Sequence, residues 1–146
     1  MSVTIRNLNE TDRAGWDALW QAYLAFYKVA LEPSVTEATW RRLIDPAEDM
    51  HALCAVDGTG AMTGIVHYLF HPVTWSIAPR CYLEDLYVAE MARGMGAGRA
   101  LIEAVYAAAE ARGADQVYWL THADNETARR LYDRVGRLTA FVKYQR

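Results

Sequence analysis

The sequence has few of the features that mark several common protein classes. Its 146 residues include only two cysteines, Cys54 and Cys81, which cannot form the disulfide framework of a small secreted domain. The longest apolar runs have the length of strands, so no segment predicts a membrane span. No positively charged start leads into an apolar signal core, and a reduced, cytoplasmic protein is the default expectation.

Positive charge is also scarce. The formal net charge is −3 at pH 7, whereas binding to nucleic acid or to an anionic membrane requires a basic patch. We therefore expect neither of these partners. No second histidine or carboxylate lies at a metal-ligand spacing from His67 or His71, so no metal site is expected.

The composition that remains is ordinary for one globular domain. Hydrophobic residues make up 53% of the chain and charged residues 23%, which is enough apolar material for one core. No repeat, linker or low-complexity segment interrupts residues 1–146. We expect one domain over this range.

Hydrophobic periodicity predicts an α/β fold with the element order β-α-α-β-β-β-α-β-α-β. Ser34 and Glu37 form a sequence capping box at the start of the second helix, which is predicted to end near Ile44. Gly113 is predicted to cap the third helix, and Gly136 to end the fourth. The predicted strands cover residues 3–6, 51–56, 64–70, 81–88, 116–120 and 138–144.

A glycine-rich turn between a predicted strand and a predicted helix is the most informative stretch. Gly94, Gly96 and Gly98 follow Arg93 where the helical pattern begins. Glycine lets the backbone approach a ligand closely, and the free N–H groups of a helix N-terminus favour an anion. The pattern therefore indicates a phosphate-binding site.

Two common phosphate-binding motifs do not fit this turn. A nucleotide-hydrolase loop needs Lys-Ser or Lys-Thr after its last glycine, but Arg99 and Ala100 follow Gly98. A dinucleotide fingerprint needs the spacing G-x-G-x-x-G and an acidic residue at the end of the next strand. Here the glycine spacing differs, and the next strand ends in Leu120 and Thr121.

Three stretches carry a resemblance to a known family. The segment Arg93-Gly94-Met95-Gly96-Ala97-Gly98 matches the (Arg/Gln)-x-x-Gly-x-(Gly/Ala) pyrophosphate loop of the GNAT superfamily of N-acetyltransferases. Residues 125–132, followed by Gly136, resemble the family's Asn-x-x-Ala-x-x-Leu-Tyr helix. Residues 82–88 are similar to the Glu-Asp strand of its polyamine and thialysine branches. With residues 117–121, they also resemble the fungal branch that acetylates histones, polyamines or D-amino acids.

The resemblance implies a mixed, mostly antiparallel sheet flanked by helices, with acetyl-CoA or coenzyme A as the cofactor. It implies that this coenzyme is held by three segments. These are Leu86, Tyr87 and Val88 along the pantetheine arm; Arg93, Gly94, Met95, Gly96, Ala97, Gly98 and Arg99 around the pyrophosphate; and Asn125, Thr127 and Ala128 beside the lower arm.

Two catalytic residues follow from the same resemblance. Tyr132 matches the family's acid, which gives a proton to the leaving thiolate, and Glu84 matches a base of the polyamine branch. Both have alternatives: Tyr132 belongs to the apolar face of its helix, and Glu84 could only bind a cationic acceptor. Strand alternation predicts that Asp85 faces away from Glu84, so that at most one of the two reaches the amine.

The first helix carries aromatic residues at helical spacing, which predicts core packing. Its far end, with Tyr23, Phe26 and Tyr27, is predicted to line the substrate pocket together with Glu84 and Asp85. The expected function is acetyl transfer to a primary amine of a small molecule, polyamine-like or amino acid. A non-catalytic acyl-CoA sensor and a protein-lysine acetyltransferase stay open, as do a monomer and a homodimer.

Overall fold

The computed structural model describes residues 2–146 and is built on a five-stranded sheet with helices on both faces. We number its elements in chain order. The strands are β1 (Thr4–Asn7), β2 (Met50–Val56), β3 (Met62–His71), β4 (Arg80–Val88) and β5 (Val117–Tyr118). The helices are α1 (Arg13–Phe26), α2 (Pro33–Ile44), α3 (Ala97–Arg112) and α4 (Glu126–Val135).

The strands follow one another across the sheet in the order β1-β2-β3-β4-β5. The first four pair antiparallel, whereas β5 runs parallel to β4 because α3 returns the chain to the same edge. The mixed, mostly antiparallel sheet expected from the resemblance is thereby confirmed.

Each face of the sheet has its own apolar core. On one face, α3 buries Leu101, Ile102 and Val105 against β3 and β4, with α4 packed at the side. On the other face, α1 and α2 bury Trp16, Leu19, Trp20, Leu24, Trp40 and Leu43. Core packing is therefore confirmed for the buried part of the α1 aromatic stripe.

The predicted terminal strand is wrong. Among residues 2–146, no strand follows α4, and residues 137–146 form an irregular segment. Its apolar side chains point into solvent: Leu138, Phe141, Val142 and Tyr144 are 73%, 83%, 75% and 94% exposed. Alternation of apolar and polar residues gives a segment one apolar face, but a strand forms only where a neighbouring strand shares its backbone hydrogen bonds.

The predicted capping box at Ser34 is also wrong. The α2 helix begins at Pro33, with Glu32 before it, and no side chain caps its N-terminus. The Glu37 carboxylate instead accepts hydrogen bonds from Arg13 at 2.7 Å and from Arg41 at 3.2 Å. Because Arg13 of α1, which is distant in sequence, binds the Glu37 carboxylate, this carboxylate does not cap α2.

Candidate active site

A bulge in the middle of β4 shapes the candidate site. His67 of β3 pairs with Asp85, but the next residue, Tyr68, pairs with Leu83, so Glu84 has no partner on β3. An unpaired extra residue reverses the in-out alternation of a strand at that point. Leu83 and Leu86 therefore pack into the same core, although a separation of three residues would place them on opposite faces of a regular strand.

The bulge overturns the predicted separation of the two carboxylates. Glu84 and Asp85 both line one cavity of about 100 Å³, together with His67 and Tyr68. Loss of water around the Glu84 carboxylate raises its pKa, and the neighbouring charge of Asp85 raises that pKa further. The cavity thus contains a carboxyl group that holds its proton more tightly than an ordinary glutamate does.

Asp85 is held from two sides. Its Oδ1 accepts a 2.7 Å hydrogen bond from the hydroxyl of Tyr23 on α1, and its Oδ2 lies 2.9 Å from Nδ1 of His67. The other ring nitrogen of His67, Nε2, accepts from the indole N–H of Trp16 at 3.0 Å. Tyr23, a predicted substrate-binding residue, therefore orients Asp85.

The sheet opens beside this carboxylate pair. The pairing of β4 with β5 comprises only Cys81 with Val117 and Tyr82 with Tyr118. Beyond Tyr82, the edge of β4 that faces β5 has no strand partner among residues 2–146. The predicted coenzyme residues Leu86, Tyr87 and Val88 lie on this open stretch, where the backbone groups that point away from β3 have no strand to bond and suit an extended ligand.

The glycine turn leads from β4 into α3. Gly94 and Gly96 adopt left-handed backbone angles, with φ of +82° and +89°, and no atom lies within 4 Å of the position of a Cβ at either residue. Helix α3 begins at Ala97, so its first N–H groups have no carbonyl of the preceding turn to bond. The turn forms an open cradle at a helix N-terminus, suited to an anion.

The two arginines of the predicted loop have different surroundings. Arg93 Nε donates to the carbonyl oxygen of Val88 at 3.1 Å, and its guanidinium lies 5.5 Å from the centroid of the Tyr87 ring. Arg99 pairs with Glu103 one turn further along α3, at 2.9 Å. Arg93 therefore ties the loop to the end of β4, and Arg99 adds exposed positive charge beside the loop.

Other residues of the loop have packing roles. Ala97 is 2% exposed, and a Cβ at Gly98 would lie 3.3 Å from Cδ2 of Leu131 on α4. Gly98 therefore permits the close approach of α4, whereas Met95 is 45% exposed at the outer rim.

The start of α4 and the end of α1 line one open groove. Asn125 caps α4, because its Oδ1 accepts from the N–H of Ala128 at 3.3 Å. The groove has a volume of about 530 Å³. It brings together two predicted acceptor residues, two predicted coenzyme residues and four residues that the sequence did not single out: Phe26, Tyr27, Asn125, Thr127, Lys28, His122, Asp124 and Glu126.

Tyr132 lies half-buried on α4, with its ring edge-on to that of Trp119 at a centroid distance of 5.5 Å. Burial raises the pKa of Tyr132 to about 12, with a smaller contribution from Tyr27, so the hydroxyl carries its proton at neutral pH. Among residues 2–146, no group forms a hydrogen bond with this hydroxyl. It is free to donate to a ligand.

The two cysteines do not resemble nucleophiles. Both are fully buried, and burial raises the pKa of the Cys81 thiol to about 11 and that of Cys54 above its ordinary value. Both thiols are therefore protonated at neutral pH.

Several further residues were not among the predicted site residues. His71 Nε2 hydrogen-bonds the hydroxyl of Tyr118 at 2.7 Å, and Trp75 is 82% exposed in the loop before β4. The buried Oγ1 of Thr121 has no hydrogen-bond partner among residues 2–146. For Thr121 and its neighbour His122, the available signal was their position between the predicted strand 116–120 and Asn125 at the start of α4.

The residues present fit a coenzyme A ligand. Three features have polar groups without a partner that such a ligand could bond. They are the open glycine turn, the unpaired edge of β4 and the buried hydroxyl of Thr121. Within the described residues 2–146, no group of three or more histidine, cysteine, aspartate or glutamate side chains is arranged to hold a metal ion. The same part of the chain contains no helix with the length and apolarity needed to cross a bilayer.

Comparison with known proteins agrees with this geometry. The Acetyltransferase (GNAT) family matches residues 16–136. A curated relative, the D-amino-acid N-acetyltransferase HPA3 of Saccharomyces cerevisiae, is 38% identical over 145 residues, which cover 99% of this chain and 90% of the relative.

Two solved structures show the same fold. The ribosomal-protein-alanine N-acetyltransferase of Brucella melitensis biovar Abortus 2308 has a TM-score of 0.83 at 23% identity, covering 99% of this chain and 98% of that one. The aminoglycoside enzyme AAC(6')-Iy, bound to the bisubstrate analog CoA-S-monomethyl-acetylneamine, has a TM-score of 0.86 at 19% identity, covering 100% and 98%. With most of its length matched by the family, and with the strand, loop and helix above in place, this chain is an acetyl-CoA-dependent N-acetyltransferase and belongs to the GNAT family.

Proposed function

We propose that this enzyme acetylates the primary amine of a small molecule, polyamine-like or amino acid, by direct attack in a ternary complex. The observation that carries the proposal is the pair Glu84 and Asp85, which the bulge places in one cavity beside the open edge of β4. Two carboxylates attract a cationic group, and an amine acceptor is a cation at neutral pH. The name of the 38% identical relative, a D-amino-acid N-acetyltransferase, supports an amino acid among the candidates.

Coenzyme binding is assigned to the loop and to the open strand edge. When bound, acetyl-CoA supplies a thioester whose acetyl group is activated for transfer. The α3 N-terminus, the glycine backbone and Arg99 bind the pyrophosphate, because each offers positive charge or free N–H groups. Leu86, Tyr87 and Val88 offer backbone donors and acceptors to the pantetheine arm, and Thr127 lies on the groove at its far end.

Glu84 is the proposed base. An alkylamine with a pKa near 10 is almost wholly protonated at pH 7 and must lose a proton before it attacks. Because the pKa of Glu84 is raised, its carboxylate is a better proton acceptor than an ordinary glutamate. Glu84 takes the proton directly or through water in the cavity beside it.

Tyr132 is the proposed acid. Its hydroxyl is protonated at neutral pH and has no hydrogen-bond partner among residues 2–146. Trp119 fixes the ring from one side, which holds the hydroxyl in one direction. The Tyr132 hydroxyl gives its proton to the departing sulfur.

The acceptor is assigned to the region between α1 and α4. The acidic pair binds the ammonium end, and the groove lined by Phe26 and Tyr27 receives the rest of the molecule. Lys28 lies on the same groove and offers a cation to an acceptor that carries its own carboxylate. This arrangement suits an amino acid as well as a diamine.

A thiol-release assay tests the proposal. The assay combines acetyl-CoA with polyamines, D- and L-amino acids, aminoglycosides and lysine peptides, beside calorimetric titration of coenzyme A. We expect coenzyme binding, with turnover on one class of small amine that Glu84→Gln abolishes without weakening coenzyme binding. Binding without turnover on any amine would favour the sensor alternative, and turnover on lysine peptides alone would favour a protein acceptor.

We also propose that the C-terminal segment, residues 138–144, joins two copies of the chain. Phe and Tyr side chains bury about 150–250 Å² each, so Phe141 and Tyr144 from two copies would bury about 600–1,000 Å². With Leu138 and Val142, the total approaches the roughly 1,200–2,000 Å² of a stable interface. The outer edge of β5, beside the 54% exposed Leu120, is the proposed docking strand.

Truncation after Arg137 tests the homodimer. Light scattering should give a dimer for the full chain and a monomer for the truncated chain. The matched control is Ile77→Asp, which removes another fully exposed apolar residue and should leave the dimer intact. A monomeric full chain would contradict this assignment without affecting the proposed chemistry.

A further inference from the structure

Lys28 ends α1 in a backbone conformation that glycine normally supplies. Its φ is +56°, and among residues 2–146 no other residue except glycine has a positive φ. The Lys28 N–H donates to the carbonyl oxygen of Ala25 at 3.1 Å. The Val29 N–H donates to the carbonyl oxygen of Leu24 at 2.9 Å. These two bonds form a Schellman cap, whose left-handed position is usually glycine because a Cβ is strained there.

The same chain ends α3 with the usual residue. Gly113 has a φ of +76°, and its N–H donates to the carbonyl oxygen of Glu110 at 3.0 Å. The N–H of Ala114 donates to that of Ala109 at 2.9 Å. The two caps have the same hydrogen-bond pattern, with glycine in one and lysine in the other. Strained backbone of this kind concentrates at ligand sites, so the Lys28 side chain needs a reason that the cap does not give.

Lys28 is exposed on the open groove between the end of α1 and the start of α4. No carboxylate in the described part of the chain, residues 2–146, forms a salt bridge with it, although Asp124 and Glu126 line the same groove. Glu126 lies in the first turn of α4, where the helix dipole favours an acidic residue. The Lys28 ammonium group is therefore available to a ligand in the groove.

The groove adjoins the acidic cavity along α1. The Tyr23 hydroxyl bonds Asp85 in the cavity, and the Tyr23 ring lies 5.0 Å from that of Tyr27, which lines the groove. The two tyrosines are four residues apart, which is about 6 Å along a helix axis. A ligand that lies along their rings has carboxylates at one end and the Lys28 ammonium group at the other.

We propose that Lys28 recognises a carboxylate of the acceptor, so that the substrate class is an amino acid rather than a diamine. An amino acid presents opposite charges to the two ends of this path, whereas a diamine places its second ammonium group against that of Lys28. The strained cap thus keeps a cation where glycine would offer none. This inference rests on the proposed function, because it takes the groove as part of the acceptor site.

Three substitutions separate the charge from the cap. Lys28→Gln removes the charge and keeps the strained conformation, whereas Lys28→Gly removes the charge and relieves the strain. Lys28→Arg keeps both. The reciprocal control is Gly113→Lys, which places a lysine in the matching cap of α3, where no atom lies within 4 Å of the new Cβ.

The first readout is the KM of one amino acid and of the same compound as its amide, which lacks the negative charge. The amino acid is the best acceptor of that class in the thiol-release assay. In Lys28→Gln and Lys28→Gly, its KM should rise about 10-fold through loss of a charge-assisted hydrogen bond, while the KM of the amide stays constant. Lys28→Arg and Gly113→Lys should keep the preference of the wild type for the amino acid.

The second readout is thermal unfolding. Lys28→Gly should raise the Tm by about 2–4 °C, and Gly113→Lys should lower it by a similar amount, because one cap is relaxed and the other strained. Lys28→Gln should unfold near the wild-type Tm, since its backbone conformation is unchanged. A purely structural role for Lys28 predicts no change in the preference for the amino acid over its amide in any variant.

Calorimetry on the complex with coenzyme A repeats the comparison without turnover. The wild type should bind the amino acid more tightly than the amide, and Lys28→Gln should bind the two alike, with an unchanged Kd for coenzyme A. Three results would overturn the inference: equal losses for the amino acid and its amide, weaker coenzyme binding in Lys28→Gln, or a wild type that prefers diamines.

Failure of the proposed function looks different. If small amines are acetylated without any dependence on Lys28, the inference alone is wrong. If no variant acetylates or binds any small amine, the proposed acceptor class is wrong as well.

Discussion

Gly98 and Leu131 meet where the glycine loop packs against α4. A Cβ at residue 98 would lie 3.3 Å from Leu131 Cδ2, closer than most such contacts, so the absence of a side chain sets the distance between α3 and α4. Leu131 directly precedes Tyr132 in the chain. The loop that is assigned to the pyrophosphate thus also determines where the proposed acid lies.

Gly98→Ala should therefore lower kcat markedly while reducing the free energy of unfolding only slightly. The added methyl group displaces Leu131 by a few tenths of an ångström and moves the Tyr132 hydroxyl with α4. We expect kcat to fall about 10-fold, with destabilisation of about 1 kcal/mol. Steady-state kinetics and denaturant unfolding measure both. Gly58→Ala, where nothing lies within 4 Å of the new methyl group, should change neither.

Gly96→Ala should weaken coenzyme binding through the backbone. An L-residue at φ +89° is strained by about 1–3 kcal/mol, so the loop should relax away from its cradle geometry. We expect the Kd of coenzyme A to rise about 10-fold in calorimetry, with little change for pantetheine, which lacks the pyrophosphate. Gly60→Ala has nearly the same φ, +87°, in the β2–β3 hairpin, and it should lose stability without losing affinity.

Tyr132→Phe should remove the proton donor while keeping the ring against Trp119. General acid catalysis is worth about 10²–10⁴-fold, so kcat should fall within that range while the Kd of coenzyme A stays constant. Tyr106→Phe is the control, because the Tyr106 hydroxyl bonds the Val135 carbonyl at the end of α4. That variant should lose stability but keep its turnover, and an unchanged kcat in Tyr132→Phe would remove the acid role.

Glu84→Gln should make the protein more stable at neutral pH. The pKa of Glu84 is raised on folding, so the folded state favours the protonated form. Stability is therefore greatest below the unfolded pKa of about 4.3 and declines as the pH rises through the folded pKa. The Tm of the variant should exceed that of the wild type at pH 7 and match it near pH 4. A Tm difference independent of pH would mean that the carboxylate is not destabilised by its surroundings.

The sequence predicted the elements that depend on local patterns. Gly113 caps α3 with φ +76°, and Asn125 caps α4, because a left-handed turn and a side-chain cap each need only one suitable residue. The glycine loop was found for the same reason: a few consecutive residues determine its backbone. The family resemblance was carried by these same local motifs.

Features that depend on distant partners were missed. The bulge at Glu84 arises from how β3 and β4 align, and the sequence of β4 alone contains no signal for it. Glu37 was predicted to cap α2 but pairs with Arg13, 24 residues away. The C-terminal alternation predicted a strand that has no neighbour here. His67 could be singled out by type, but its partners Trp16 and Asp85 lie 51 and 18 residues away.

The short pairing of β4 with β5 has a consequence for the exchange of backbone hydrogens. From Asp85 to Val88, one edge of β4 bonds to β3 while the other has no strand partner among residues 2–146. Amide hydrogens alternate between the two edges, so fast and slow exchange should alternate along a single strand. In the middle of the sheet, where strands normally exchange slowest, this protein keeps an edge as accessible as a loop.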